Sequence, residues 1–304
     1  MVSESIRKAH VYPNLDSTLQ VETMLAEFYP FCRAIGTTRV ATLTALSRKY
    51  TLDMHYNLYK ESVPNFEDQR QNLLNLMAVC GARDFVSTAL FHGTSDVVYA
   101  NKNGLRILGP GSGKRAYKMP NYDRFDRAMQ LPADGIICEP DSGIVPVTYS
   151  ADCVTGVFAA PNGAYGVFHS MSKKLNDASN NIILSMVSYF YRLWTIQPED
   201  LKLALFPSAC PKVYEVDEDF AAQFDKRFVL REYGKKPRLD LEAMAIDLAQ
   251  KYGVNDISIS EHSTAWGGLE SLRGTEHSLM ANGAVGNSNG QNIVFVVPYV
   301  KPVK

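Results

Sequence analysis

A chain of 304 residues has room for one large domain or two small ones. At 46% hydrophobic and 21% charged it has ample material for a core, and a formal net charge of −1 excludes a globally basic nucleic-acid or anionic-membrane binder. Five cysteines (Cys32, Cys80, Cys138, Cys153 and Cys210) with no Cys-x-x-Cys pair argue against a disulfide framework and fit a reducing compartment. The first twenty residues carry Glu4, Arg7, Lys8, His10 and Asp16 and no apolar core of a secretory signal. The most apolar long stretch, Ile182 to Tyr191, is too short and too interrupted by serine to span a bilayer. The expectation is a soluble cytoplasmic protein, a monomer or weak homodimer, whose partner is a small-molecule substrate rather than nucleic acid or a membrane.

In chain order, Phe66–Val79 reads as a candidate helix and Val86–Phe91 and Val97–Tyr99 as strands. Gly109-Pro110-Gly111-Ser112-Gly113-Lys114 invites a phosphate-loop reading but fails it: Leu108 stands at the first glycine position and Arg115 at the hydroxyl position. Lys102, Arg106, Lys114, Arg115, Lys118, Arg124 and Arg127 around it form a solvated basic face. Strands are predicted at Ile144–Tyr149, Val154–Ala160, Ala164–Phe168, Leu201–Phe206, Ile257–Ser260 and, after a Gly- and Asn-rich loop at Asn282–Asn292, Ile293–Val300. Leu175, Ala178, Ile182, Met186, Tyr189 and Leu193 recur at helical spacing and predict one amphipathic helix. Leu241, Met244, Ala245, Leu248 and Tyr252 predict a second, with Asp240 as N-cap and Gly253 as stop. Helices and strands without strict alternation point to an α+β layered domain.

The most informative segment runs from Tyr149-Ser150-Ala151-Asp152-Cys153 to Val167-Phe168-His169-Ser170, two apolar runs joined by Pro161-Asn162-Gly163. That join predicts a β-hairpin. A three-residue loop sets Ala160 opposite Ala164 and makes Cys153 and His169 diagonal neighbours on one face, roughly 7–8 Å apart. A two-residue Asn-Gly loop sends them to opposite faces.

A thiolate and an imidazole at that spacing serve a metal or a proton transfer equally well. With His92, in Phe91-His92-Gly93-Thr94, the set becomes two imidazoles and a thiolate, a legitimate open zinc site. The same set suits a blue copper. Multicopper oxidase chemistry needs many more imidazoles. The six histidines (His10, His55, His92, His169, His262 and His277) include no pair within two residues, which disfavours it. Without the metal, Cys153 is a candidate nucleophile and His169 its base.

Six stretches in order resemble the multicopper polyphenol oxidoreductase or laccase-domain family, also known as YfiH-like proteins. They are Asn65-Phe66-Glu67-Asp68-Gln69-Arg70 with Leu73; Phe91-His92-Gly93-Thr94; Ala133-Asp134-Gly135 with Ser150-Ala151-Asp152-Cys153; Phe168-His169; Ala204-Leu205-Phe206-Pro207 with Tyr214-Glu215-Val216; and Arg238-Leu239-Asp240-Leu241 to Gly253-Val254. The match runs from about Thr37, making residues 1–36 an N-terminal extension and 37–304 a single domain.

The resemblance implies an α/β/β/α layered fold with mixed sheets, shared with the catalytic domain of cytotoxic necrotizing factor. It implies that His92, Cys153 and His169 hold zinc, with copper the lesser alternative. It also implies phosphorolysis of purine nucleosides or deamination of adenosine; the family includes purine nucleoside phosphorylases and the peptidoglycan editing factor. In that frame Cys153, His169 and Asp152 are the catalytic candidates, and Arg39, Lys173, Ser271 and Arg273 the substrate- and phosphate-binding ones. The chain departs from the family pattern in having Met171-Ser172-Lys173 for Gly-Trp-Arg, Ser263-Thr264 for Cys-Thr, and Glu270-Ser271-Leu272-Arg273-Gly274 for Phe-Ser-Tyr-Arg-Arg. Rival expectations are a Cys–His amidase, deamidase or peptidoglycan-precursor hydrolase, and a non-catalytic family member that keeps the metal as a fold element.

Overall fold

The structure, a computed structural model, describes residues 6–8, 11–12, 23–24, 32–36, 40–43, 50–53, 84–89, 94–109, 116–117, 130–150, 152–206, 208–212, 214–259 and 292–298. Fourteen of the described strands make two sheets. They are β1 (Ile6–Lys8), β2 (Cys32–Gly36), β3 (Asp84–Ala89), β4 (Val97–Asn101), β5 (Gly104–Leu108), β6 (Ala116–Tyr117), β7 (Gln130–Pro132), β8 (Gly135–Cys138), β9 (Ile144–Ser150), β10 (Val154–Ala159), β11 (Tyr165–Ser170), β12 (Lys202–Leu205), β13 (Asp256–Ile259) and β14 (Asn292–Pro298). The larger sheet runs β1-β13-β12-β10-β11-β8-β4-β5-β6 and the smaller β7-β3-β9-β14-β2, each mixing parallel and antiparallel pairs. The N-terminal strands β1 and β2 pair into these sheets, beside β13 and β14 respectively.

Alternation along the strands splits the core in two. On one face of the larger sheet, Val98, Ile136, Val157 and Val167 pack with Val86, Ile144, Val294 and Val296 of the smaller sheet. On the other face, Val97, Ile137, Phe158 and Phe168 pack under the helices α2 (Ile182–Trp194) and α3 (Leu241–Lys251). Among the described residues the order is helix, sheet, sheet, three of the four predicted layers. The predicted helix Phe66–Val79 lies outside the described residues.

α2 begins where Asn181 accepts a hydrogen bond from the Leu184 amide and ends at Thr195, whose φ is +60°. The single helix predicted from Leu175 is therefore corrected to two. A short α1 (Ser172–Leu175) comes first, and the Asp177 carboxylate then takes the Ser179 and Asn180 amides into a side-chain turn that breaks the helix. α3 has its predicted cap, Asp240 accepting from the Ala243 amide at 3.0 Å, and its predicted stop at Gly253, φ +93°.

α2 lies close on the sheet because two strand residues beneath it are glycines. A Cβ on Gly135 would sit 2.9 Å from Ile182, and one on Gly166 would sit 2.7 Å from Met186 and 2.3 Å from the Ile136 carbonyl oxygen. Strand β8, with all four residues buried, and β5, in the predicted basic segment, were not expected from the sequence. In that segment the described Lys102 and Arg106 are exposed, with the Arg106 guanidinium 5.8 Å from the centre of the Tyr99 ring. Among the described residues no helix is long and apolar enough to cross a membrane.

Candidate active site at the carboxyl ends of the strands

The hairpin β10–β11 has the register of the three-residue loop. Val154 pairs with Ser170 and Thr155 with His169, and at the turn the Ala160 amide bonds the Ala164 carbonyl at 2.9 Å. Gly163 takes the left-handed position, φ +94°, and Asn162 Oδ1 accepts from the Ala164 amide. His169 shares the parity of Val167 and Tyr165, which lie in the core between the sheets. It is buried there.

On its other flank His169 meets the start of β8. Gly135 pairs with Phe168, so Asp134 stands opposite His169, and the His169 amide donates to the Asp134 carbonyl at 2.8 Å. Facing residues on neighbouring strands share a face. Asp134 Oδ1 accordingly lies 3.9 Å from His169 Nδ1, an ion-pair contact longer than a hydrogen bond. Thr94 Oγ1 donates to Asp134 Oδ2 at 3.4 Å, and the Asp134 amide donates to the Asp96 carbonyl. Burial first, and the Asp134 charge second, hold the Asp96 carboxyl above its usual range.

Cys153 falls in a bend just before β10, with the Ser150 hydroxyl donating to its carbonyl. Cys153 is half-buried, and its side chain interacts with the imidazole. Burial drives His169 toward its neutral form. The Asp134 carboxylate and the Cys153 side chain outweigh burial and raise its pKa from 6.5 to about 9. Asp152, in the same bend, is buried, and its carbonyl accepts from the Ala209 amide at 2.9 Å.

Ser172 and Lys173 follow β11 at the start of α1, and Tyr214 meets the first of them. The Tyr214 hydroxyl donates to Ser172 Oγ at 3.4 Å. Burial, then the charges of Cys153 and Asp152, raise the phenol pKa, with Ser172 opposing. Lys173, next to Ser172, is exposed, its ammonium 5.5 Å from the centre of the Phe220 ring. The structure thus sets His169 against Cys153 and Asp134, with Asp152 beside Cys153 in the chain. His92, Arg39, Ser271 and Arg273 lie outside the described residues. Among the described residues no three His, Cys, Asp or Glu side chains gather as a metal-holding group. Sequence reasoning gave no role to Asp134, Ser172 or Tyr214. The Asp134-Gly135 pair and Tyr214-Glu215-Val216 were visible as matched stretches, and the short β8 that delivers Asp134 to His169 was not.

The strands that carry this site belong to a known family. The model of the multi-copper polyphenol oxidoreductase laccase family matches residues 49–268. The chain belongs to that family. Solved structures of similar fold include YlmD from Geobacillus stearothermophilus, at 18% identity and TM-score 0.67, covering 95% of this chain and 99% of that one. The Bacillus licheniformis hypothetical protein YfiH has 17% identity and TM-score 0.67, covering 94% and 98%. A Neisseria meningitidis protein follows at 13% identity and TM-score 0.59, covering 93% and 100%. No curated protein matches the sequence at a significant level. The laccase-domain assignment and the mixed-sheet α+β fold expected from the sequence both hold.

Proposed function

We propose that this laccase-family chain is a zinc-dependent purine nucleoside enzyme, a phosphorylase or an adenosine deaminase, acting at Cys153 and His169. The reading is supported above all by the buried imidazole of His169, which interacts with both the Cys153 side chain and the Asp134 carboxylate. A carboxylate facing Nδ1 favours a proton there and leaves Nε2 as the donor, the outer arrangement common behind metal-bound histidines. Two donors of the zinc set are therefore adjacent and fit it. His92, three residues beyond the end of β3, is the third in this reading.

Zinc held by a thiolate and two imidazoles supplies a Lewis acid and lowers the pKa of a bound water to about 7. The chain's own residues do the rest. Asp134 fixes the ring of His169, and Asp152 serves proton transfer or orientation from the bend. In phosphorolysis Lys173, with Arg39, Ser271 and Arg273, holds phosphate. Copper polyphenol oxidation remains disfavoured by the histidine count.

Elemental analysis is expected to find about one zinc per chain and to find it lost in Cys153→Ala; unchanged zinc in that variant refutes the site. Adenosine, inosine, guanosine and methylthioadenosine, offered with and without phosphate, then separate phosphate-dependent base release from ammonia release. No product from any of them favours a non-catalytic family member.

The same geometry supports one rival. Asp134, His169 and Cys153 stand in the order of an orienting acid, a base and a nucleophile. Chelated protein that keeps activity, and loses it to iodoacetamide at Cys153, selects a Cys–His amidase or peptidoglycan-precursor hydrolase.

A further inference from the structure

We propose that the step between the end of α2 and the open face of β4 and β5 is a docking surface for an acidic segment of a protein partner. It does not depend on the reaction proposed above. Alternation along β5 buries Leu105 and Ile107 between the sheets and leaves Gly104, Arg106 and Leu108 on the helix side. Among the described residues, β5 gives no side chain to the core beneath α2 and α3, whereas β4 gives Val97. The helical cover therefore ends at β4. Tyr99 of β4 pairs directly with the exposed Arg106, whose guanidinium lies 5.8 Å from the centre of the Tyr99 ring. The same ring lies 6.0 Å from that of Trp194, the last residue of α2. Half-buried Tyr99 and Trp194 thus line the corner where the helix meets the sheet.

The corner is braced from inside. The rings of Phe168, Phe158, Phe190, Trp194 and Tyr99 follow one another at 5.6, 6.1, 5.8 and 6.0 Å, a continuous chain from the buried core to the surface. Aromatic groups held in this way lose little freedom when a partner binds. The cations around the corner are available to a partner. Arg106 lies over Tyr99, and Arg192 lies 5.8 Å from the centre of the Tyr189 ring. Among the described residues neither makes an ion pair, whereas Arg227, Arg231 and Arg238 all do. Lys102 is exposed in the turn that joins β4 to β5. The carboxylate at this corner, Glu139, is already engaged by the Tyr99 hydroxyl at 3.2 Å. Tryptophan, tyrosine and arginine are the residues that most often anchor interfaces. A guanidinium packed on an aromatic face still offers its N–H fork to a carboxylate. A formal net charge of −1 gives the chain no general field for a polyanion, so the attraction is local to this face. The occupant that fits is a segment pairing carboxylates with an aromatic or apolar anchor.

The probe is a labelled random copolymer of glutamate and tyrosine, read by fluorescence anisotropy against the full chain. A lysine–tyrosine copolymer and a single-stranded RNA serve as comparisons. Wild type is expected to bind the glutamate–tyrosine copolymer at least about fivefold more tightly than either comparison, and less tightly as salt is raised. Arg106→Glu is expected to weaken that binding about tenfold, and Trp194→Ala to weaken it in the same direction. Arg231→Glu, which reverses an arginine already paired with Glu218, is expected to leave binding unchanged. Thermal midpoints are measured for each variant; Arg106 is exposed, so its variant reports on binding even if Trp194→Ala fails to fold. No binding by wild type, or equal losses in Arg106→Glu and Arg231→Glu, overturns the proposal. Tighter binding of the RNA, lost in Arg106→Glu, overturns it in favour of a nucleic-acid surface. A wild-type dimer in sedimentation that Arg106→Glu dissolves gives the face to a second copy of this chain, and overturns it too.

Discussion

His169 gathers most of the chemistry at the scale of single residues. It is buried between the sheets, yet Asp134 and Cys153 outweigh that burial and keep its pKa near 9. Removing the charge of Asp134 while keeping its shape tests what it does for the ring. Asp134→Asn is expected to weaken zinc affinity about 10- to 100-fold with little change in fold; competition against a chromophoric chelator measures it, and an affinity equal to wild type removes Asp134 from the site. The hairpin register that joins Cys153 to His169 was legible because hairpin geometry is local and its turn residues are explicit in the sequence. Asp134 is 35 residues from His169 and meets it only because β8 lies beside β11. A chain order does not reveal which strands become neighbours. Phosphate-binding candidates such as Lys173 were proposed from aligned stretches alone, and for Lys173 the structure shows the exposed ammonium over Phe220.

Among the elements, α3 was legible in full because its cap, apolar face and stop are all local signals. α2 was blurred at its start: the periodic apolar positions continue through Ala178, while Asp177 and Asn181 prefer to bond nearby amides. α3 also carries a titration. Glu242, in its first turn, has its pKa raised from 4.5 to about 7, first by burial and then by the charge of Asp240. The folded state holds this proton more tightly than the unfolded chain. Its stabilising contribution is therefore complete below pH 4.5 and is lost as pH rises through about 7. Glu242→Gln is expected to gain roughly 1–3 kcal/mol over wild type at pH 8 and little at pH 4.5. Urea unfolding at the two pH values measures this, and equal differences at both would exclude Glu242 as the source. Strand β11 makes a second demand. Gly166→Ala drives a methyl into the Ile136 carbonyl and Met186 and should cost roughly 1–3 kcal/mol, seen as a lower denaturation midpoint at unchanged slope. A midpoint equal to wild type would mean that α2 has room to lift.

On the scale of the whole molecule, the layered α+β class was legible from mixed helix and strand signals, and the sheet order was not. The fully buried β8 reads in sequence as one more short apolar run, yet it joins β4 to β11 in the centre of the larger sheet. The smaller sheet explains the site's position. β7, β3 and β9 run parallel and in register, with Pro132, Ala89 and Ser150 at their carboxyl ends. Asp134 and Cys153 follow two of those ends, and His92 follows the third in sequence. Such ends are where sheet proteins commonly bind ligands. A metal bound there only in the folded state stabilises the whole protein by mass action. Chelation is expected to lower the thermal midpoint of wild type and to leave that of Cys153→Ala unmoved; equal shifts in both proteins would place the metal elsewhere.

The Pro161–Gly163 turn stands at the far end of its hairpin from the thiol and the imidazole, six paired positions away. Its length nonetheless acts as a counting device. Deleting or adding one residue turns one strand over relative to the other and sends His169 to the helix side, whereas a change of two restores the facing. Sequences descended with this chemistry should therefore vary freely in what the turn is made of, and change its length only by even steps.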